Sequence, residues 1–282
     1  KDKKWWLNLG KFIFIFPLVT LIIFLATYPY YWGDTLSHVN KMIAHWGSVD
    51  EILFGKIAPP TRMYFVYYLL AVTPTLTLIG LVAGAVWAVI KPTRWSWFLL
   101  AWVAAPLLWS FSYLKQDGLR YLIMIVPAIA VLVSFTLYKF ALKYQTIAWI
   151  AMILIIGAQF IGLAKTYPYY LDYYNALAGG PKKVYQTNNY QFSWWGEGLY
   201  AAGNWLSSYA PQNARVALYI SPDSTKGTLR SDLKMTTENP DYIVTNPNYL
   251  LTNKVVIPDN FQKVFEEEVV PGAPLVTIWG AK

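Results

Sequence analysis

Residues 64–90 read YFVYYLLAVTPTLTLIGLVAGAVWAVI, a run without an acidic or basic side chain. An α-helix rises 1.5 Å per residue, so this run is long enough to cross the roughly 30 Å hydrocarbon layer of a bilayer. Similar uncharged stretches lie at residues 12–28, 96–113, 121–138 and 146–164. Buried helices of a large soluble protein would carry polar faces, and these stretches have almost none. The sequence therefore predicts an α-helical integral membrane protein with about five transmembrane helices.

The composition agrees with this prediction. Hydrophobic residues make up 56% of the chain and charged residues 13%, which is too apolar for an ordinary soluble domain. The aromatic residues among them account for 18% of the chain, an excess that is typical of chains whose rings lie at membrane interfaces. The chain contains no cysteine, which excludes disulfides and thiolate metal sites.

The positive charges predict the orientation in the membrane. Cytoplasmic loops carry an excess of Lys and Arg, and here the bases gather before the first predicted span and in the turns after the second and fourth. They are Lys1, Lys3, Lys4, Lys11, Lys91, Arg94, Lys139 and Lys143. The net charge of +8 is thus explained by basic residues on the predicted cytoplasmic side, and it does not indicate nucleic acid as a partner. We expect a plasma-membrane protein with a cytoplasmic N-terminus.

Two domains follow from this pattern: a transmembrane domain at residues 1–166 and a small extracytoplasmic α/β domain at residues 167–282. In the second, residues 199–209 are predicted to form an amphipathic helix. Residues 215–220, 242–245, 263–270 and 275–279 alternate as strands do, and Pro271-Gly272 predicts a hairpin between the last two.

The outer loop at residues 30–63 is long for a connection between helices, and long ordered loops are often functional. Residues 35–46 are predicted to form an amphipathic helix lying in the membrane interface. The loop contains both histidines, His38 and His45, near several acids. A divalent metal there is the one cofactor that the sequence leaves open, although the spacing matches no strong ligand motif.

Two further patterns concern the spans and the turn before the fourth of them. Gly80 and Gly84 form a small-xxx-small pair, which predicts close approach of another helix. Lys115 and Arg120 lie in the turn. Arg120 has two interpretations: its guanidinium clamps a phosphate with two parallel hydrogen bonds, or it anchors the chain to lipid headgroups.

Four stretches in order resemble one family of membrane enzymes. They are FGKIAPPTRMYFVYYLLAVTPTLTLIGL at residues 54–81, KQDGLRYLIMIVPAIAVL at 115–132, YPYYLDYYNALAGG at 167–180 and FSWWGEGLYAAGNWL at 192–206. The chain resembles the C-terminal half of the lipid-linked-sugar-dependent glycosyltransferases related to dolichyl-phosphate-mannose protein mannosyltransferases and aminoarabinose transferases.

The resemblance implies a GT-C-like fold that transfers a sugar from a polyprenyl-phosphate carrier to an acceptor on the outer face of the membrane. It implies that Arg120 and Lys115 lie near the phosphate of this lipid-linked donor. It also implies that the loop around His45, Lys56 and Arg62 covers the donor or acceptor cavity.

Two departures from the family pattern leave the activity open. The catalytic acid of the family lies in a first outer loop that this chain lacks, so we expect the chain to be a part that needs a missing N-terminal portion. The acid that usually precedes Trp-Gly is Trp194 here. The alternative is a non-catalytic subunit that scaffolds or covers a larger membrane complex. A transporter is disfavoured because the spans contain no ionisable residue. The expected partners are the lipid-linked donor and membrane lipids.

Overall fold

The structure, a computed structural model, describes residues 3–45, 50–111, 119–220 and 229–282, with residues 3–13, 42, 43 and 45 described by backbone alone. The described chain divides into two units, Lys1–Ser48 and Val49–Lys282. The predicted boundary between residues 166 and 167 separates a membrane part from an aqueous part within the second unit, and it stays a prediction.

The first unit contains helix α1 (Lys3–Thr27), a 3-10 turn (Pro29–Tyr31) and helix α2 (Thr35–His45). Asp34 starts α2, because its Oδ1 accepts a hydrogen bond from the Ser37 N–H at 3.1 Å. The ring of His38 stacks on Tyr30 with 4.2 Å between centroids. The predicted helix at residues 35–46 is confirmed as α2.

The second unit begins with a short hairpin of strands β1 (Glu51–Leu53) and β2 (Lys56–Ala58) and continues into a broken helix. The chain bends by 119° between helices α3 (Tyr64–Val72) and α4 (Thr75–Ile90). Pro74 stands at the N-cap of α4. It has no N–H to continue the helix and it disfavours helical backbone at Thr73, so the run predicted as one span is two helices.

Asn175 closes this break from far along the chain. Its Nδ2 donates to the carbonyls of Leu70 and Thr73, at 2.6 and 2.5 Å. Its Oδ1 accepts hydrogen bonds from the N–H groups of Leu177 and Ala178. The side chain is 3% exposed, so it satisfies, out of water, carbonyls that a helix break leaves without partners.

The remaining helices of the membrane part are α5 (Arg94–Ser110), α6 (Val126–Ala141), which a 3-10 turn (Leu119–Ile125) precedes, and α7 (Gln145–Thr166). The predicted close approach at Gly80 and Gly84 is confirmed, and the partner is α6. A Cβ on Gly84 would lie 2.8 Å from Thr136 Oγ1 and 3.0 Å from the Leu132 carbonyl oxygen. Neither glycine can therefore be enlarged without moving α4 from α6.

The count of five spans is only partly matched. Within the described residues, two helical segments are long and apolar enough to cross a membrane, Leu119–Ala141 and Gln145–Thr166. The bent pair α3 and α4 makes a third if it is taken as one span. The described apolar part of α1, Phe14–Thr27, is shorter, and α5 has 17 residues.

The C-terminal part folds around a mixed five-stranded sheet with the order β4-β3-β5-β7-β6. Strands β3, β4 and β5 are parallel, and β7 runs antiparallel to both β5 and β6. Helix α9 packs Leu206 into a core with Val216, Val244 and Ile278. The strands are β3 (Arg215–Tyr219), β4 (Lys234–Met235), β5 (Tyr242–Thr245), β6 (Phe261–Val270) and β7 (Ala273–Ala281), and the helices are α8 (Gly180–Thr187), α9 (Leu199–Tyr209) and α10 (Pro247–Asn253).

The sequence prediction for this part is largely confirmed. Helix α9 has the predicted bounds, and β6 and β7 pair through a turn at Pro271-Gly272, in which Gly272 has a φ of +81°. Strand β6 begins two residues before the predicted strand at 263–270, and β7 extends the predicted strand at 275–279 by two residues at each end.

Candidate functional site

A cavity of about 480 Å³ lies where α3, the 3-10 turn before α6 and residues 170–197 meet. We name it the head cavity. Val72, the last residue of α3, lines it, so the helix break sets its shape. Most of the wall is apolar or aromatic. Among the described lining residues, three are charged: Arg120, Asp172 and Glu197.

Arg120 supplies the positive charge of the head cavity. It lies at the start of the 3-10 turn, and its guanidinium carbon is 5.0 Å from the ring centroids of both Tyr121 and Trp195. Its Nη2 donates to Tyr121 Oη at 3.2 Å. Aromatic rings attract a cation electrostatically and hold its plane. Arg120, which the sequence predicts to bind a phosphate, thus lies at the wall of a cavity.

Asp172 supplies a buried negative charge. It ends the 3-10 turn Tyr170–Asp172 and is 3% exposed. Its Oδ1 accepts a hydrogen bond from the Ser193 N–H at 2.7 Å, whereas its Oδ2 is buried with no hydrogen-bond partner among the described residues. Burial, and next the nearby Glu197 carboxylate, raise the pKa of Asp172 well above its usual range.

Glu197 is the second carboxylate of the head cavity. Its Oε2 accepts a hydrogen bond from the Trp195 N–H at 3.0 Å, which closes the tight turn around Gly196. Burial raises the pKa of Glu197 as well. Two carboxylates whose ionisation is disfavoured therefore lie in one cavity with a cation, an arrangement typical of functional sites.

A buried network holds one wall of the head cavity in place. Glu51 Oε2 accepts hydrogen bonds from Tyr64 Oη, at 3.1 Å, and from Gln191 Nε2. Tyr68 Oη donates to the Ile52 carbonyl at 2.9 Å and accepts from the Gln191 N–H at 2.8 Å. The network ties the β1–β2 hairpin to α3 and to the segment that carries Glu197, so these elements are rigidly connected.

An apolar cleft of about 760 Å³ adjoins the head cavity. The two share Leu69, Val72, Leu119 and Val126. The cleft follows α6 from Val126 to Ala141, a distance of roughly 22 Å at 1.5 Å per residue. A cavity that holds three charged side chains thus adjoins a long apolar cleft along a helix that can span a membrane.

The other predicted site residues are placed differently. Lys56, on β2, and Arg62 are exposed and line neither of these two cavities. Lys115 lies outside the described residues, and His45 ends α2 with its side chain outside them. The roles of these four residues stay predictions. In the described part, no three His, Asp or Glu side chains come together as a metal site would require.

Sequence reasoning missed Asp172 and Glu197 as site residues. Asp172 is the one charged residue in YPYYLDYYNALAGGP at positions 167–181, a stretch that aromatic residues alone had assigned to the membrane interface. An isolated acid among aromatic residues was the available signal. Glu197 lies three positions after Trp194, and both line the cavity. Trp194 occupies the position at which the glycosyltransferases that the chain resembles usually have an acid.

The buried carboxyl of Asp172 is expected to cost stability as the pH rises. Its pKa is raised in the folded state, so the folded chain loses stability between about pH 4, where the unfolded group ionises, and the raised pKa. Asp172→Asn removes this cost and keeps an acceptor for Ser193. We expect its melting temperature to match that of the wild type at pH 4 and to exceed it by roughly 2 to 4 °C at pH 8.

The matched control is Asp241→Asn. The Arg215 guanidinium holds the pKa of Asp241 below its usual range, so this substitution is expected to lower the melting temperature at pH 8 and not to raise it. Thermal unfolding in detergent at pH 4, 6 and 8 measures both. An Asp172→Asn variant that is less stable than the wild type at pH 8 would contradict the buried-charge argument.

Comparison with protein-family models, with curated proteins and with solved structures finds no match to this chain.

Proposed function

We propose that this chain is the carrier-binding part of a membrane glycosyltransferase, which transfers a sugar from a polyprenyl phosphate to an acceptor on the outer face of the membrane. The proposal rests on the position of the head cavity directly beside the apolar cleft, with which it shares four lining residues. A polyprenyl phosphate has an anionic head on a long apolar chain, and the two cavities offer a cation and an apolar path in that order.

The apolar cleft suits the polyprenyl chain. Its polar lining includes Gln159 and Thr77, which satisfy each other because Gln159 Nε2 donates to Thr77 Oγ1 at 2.9 Å. A hydrocarbon chain in the cleft therefore leaves this amide and hydroxyl paired. Burial of apolar surface is worth roughly 25 cal/mol per Å², so the tail supplies affinity while the head sets specificity.

Arg120 suits the phosphate. The guanidinium presents several N–H donors in one plane, which matches two phosphate oxygens. When the bond between the sugar and the phosphate breaks, negative charge grows on the phosphate oxygen. A fixed cation stabilises that charge more than it stabilises the bound donor, which accelerates transfer.

The proposal includes the predicted topology: five spans in the plasma membrane, a cytoplasmic N-terminus and residues 167–282 outside. The base that activates the acceptor hydroxyl then comes from the N-terminal part of the enzyme. A non-catalytic subunit of a larger membrane complex is the second candidate, and Trp194 in place of an acid favours it. Turnover of a sugar-linked carrier by this chain joined to the expected N-terminal part separates the two, since a non-catalytic subunit shows none.

Arg120→Ala is expected to weaken binding of decaprenyl phosphate by about 10- to 30-fold, the loss expected when a charge-assisted hydrogen bond is removed. Arg120→Lys is expected to restore part of the affinity, because a point charge does not reproduce the planar fork. Titration followed by native mass spectrometry from detergent micelles measures the bound carrier.

Arg94→Ala is the matched control, since Arg94 is an exposed arginine at the start of α5 that lines neither cavity. Decaprenol, which has no phosphate, is expected to bind the wild type and Arg120→Ala equally. If phosphatidylglycerol displaces decaprenyl phosphate at equal concentration, or if Arg120→Ala binds the carrier as the wild type does, Arg120 is a headgroup anchor and the carrier site is wrong.

A further inference from the structure

The acidic side of the head cavity is not explained by a phosphate at Arg120. An anion is repelled by carboxylates, yet Asp172 and Glu197 line the same cavity as the arginine. A ligand that fills the cavity therefore has an anionic end at Arg120 and a different group at the carboxyls. That group has to be polar, because the carboxyl of Asp172 is almost fully buried and needs a partner.

The unsatisfied oxygen of Asp172 indicates what kind of polar group fits. A buried oxygen without a hydrogen bond costs free energy, and a ligand that donates to it recovers that cost. The raised pKa of Asp172 lets its carboxyl exist in the protonated form too, in which it both donates and accepts. A hydroxyl group also does both, so it pairs with Asp172 in either protonation state.

The aromatic wall favours a sugar as the source of these hydroxyls. Tyr170, Trp194 and Trp195 line the cavity beside the two carboxyls. A pyranose ring carries hydroxyls around its edge and C–H groups on its faces. The edge suits carboxylates, and the faces pack on aromatic rings, whose electron-rich surfaces attract C–H groups. Carboxyls and aromatic rings together therefore match a sugar better than a simple polar headgroup.

A divalent cation fits this arrangement less well. Asp172 Oδ1 is already bonded to the Ser193 N–H and Glu197 Oε2 to the Trp195 N–H. Calcium requires six to eight oxygen ligands and magnesium six. In the described part of the chain, no group of three candidate ligands forms, and the Arg120 guanidinium lies in the same cavity.

We propose that Asp172 and Glu197 form a sugar subsite, in which their carboxyls hydrogen-bond the hydroxyl groups of a hexose linked to the carrier phosphate at Arg120. The subsite deepens the proposed function and rests on it. The chain then recognises all three parts of the donor: the polyprenyl tail in the cleft, the phosphate at Arg120 and the sugar at the two carboxyls.

The test compares the bare carrier with sugar-linked carriers. Decaprenyl phosphate and decaprenyl phosphates linked to mannose, glucose and galactose are titrated into the purified chain in buffer containing EDTA. We expect at least one sugar-linked carrier to bind the wild type about tenfold tighter than decaprenyl phosphate. Asp172→Ala and Glu197→Ala, which leave no amide to pair with a hydroxyl in place of the carboxyl, are each expected to remove most of this gain. Decaprenyl phosphate is expected to bind both variants at least as tightly as it binds the wild type, because a group that repels the phosphate is gone.

Asp259→Asn is the control, since Asp259 is an exposed acid that lines neither cavity, and it is expected to keep the gain. Melting temperatures recorded in parallel identify any variant that loses its fold, and the two subsite variants are independent of each other.

The outcomes separate the two proposals. Failure of the wild type to bind decaprenyl phosphate overturns the carrier site and the subsite together.

Binding of decaprenyl phosphate that depends on Arg120, without any gain from a linked sugar, leaves the carrier site standing and overturns the sugar subsite. Survival of the gain in both Asp172→Ala and Glu197→Ala overturns it too. A gain that appears only when Mg²⁺ replaces EDTA assigns the carboxyls to a cation and equally overturns the sugar subsite.

Discussion

Asn175→Ala is expected to lower the free energy of unfolding by about 3 to 5 kcal/mol, because several buried polar groups lose their partners at once. The carbonyls of Leu70 and Thr73 lose a donor, and the N–H groups of Leu177 and Ala178 lose an acceptor. Thermal unfolding in detergent, read by circular dichroism, measures the loss. Carrier binding is expected to fall with it, since α3 lines both cavities.

Asn175→Asp tests which half of this arrangement matters more. An ionised carboxylate still accepts from Leu177 and Ala178 but has no hydrogen to donate to the helix carbonyls, so we expect it to be nearly as destabilising as alanine. Asn204→Ala, on the exposed face of α9, is the control and is expected to change stability by less than about 0.5 kcal/mol. If Asn175→Ala behaves like Asn204→Ala, the break between α3 and α4 is stable without its clamp.

Gly84→Leu is expected to destabilise the chain by about 3 kcal/mol, through overpacking between α4 and α6. The first atom of any side chain at this position meets the Leu132 carbonyl oxygen at 3.0 Å, and a backbone atom within a helix does not move aside by a rotamer change. The two helices have to separate. Melting temperature in detergent measures the effect, and decaprenyl phosphate binding reports whether the cleft beside α6 is deformed.

Gly157→Leu is the matched control, because Gly157 lies within α7 and a Cβ there would meet nothing within 4 Å. Leucine is the better helix former by several tenths of a kcal/mol, so this variant is expected to be as stable as the wild type or slightly more stable. Equal losses in Gly84→Leu and Gly157→Leu would mean that bulk on these helices, and not the contact with α6, is what the chain rejects.

The parts of the fold that the sequence predicted are those set by nearby residues. Helix α9, the Pro271-Gly272 turn and all the strands after α9 except the two-residue β4 follow from periodicity and turn chemistry over a few positions. The broken span was harder to predict, although Pro74 was visible in the sequence. Proline inside an apolar run is compatible with a kinked single helix as well as with two helices, and Asn175, which settles the bend, lies a hundred residues away.

The site shows the same limit. Arg120 was predicted from its place at a helix start beside an apolar run, and it does line the head cavity. Its carboxylate neighbours were not predicted, because Asp172 and Glu197 share a cavity only once residues 190–197 fold back over α3. In the β1–β2 hairpin, the resemblance favoured Lys56 as a site residue, whereas Glu51 is the charged residue that is buried. Which strand residue faces inward depends on packing partners that the sequence does not show.

The clamp on the broken helix also bears on how the chain is made. Leu70 and Thr73 leave the ribosome 105 and 102 residues ahead of Asn175, and helices α4, α5, α6 and α7 are synthesised in between. During that interval the carbonyls at the break have only water or a transient partner. The bend is therefore not completed until synthesis has passed residue 175, and the cavities beside it cannot hold a ligand before then.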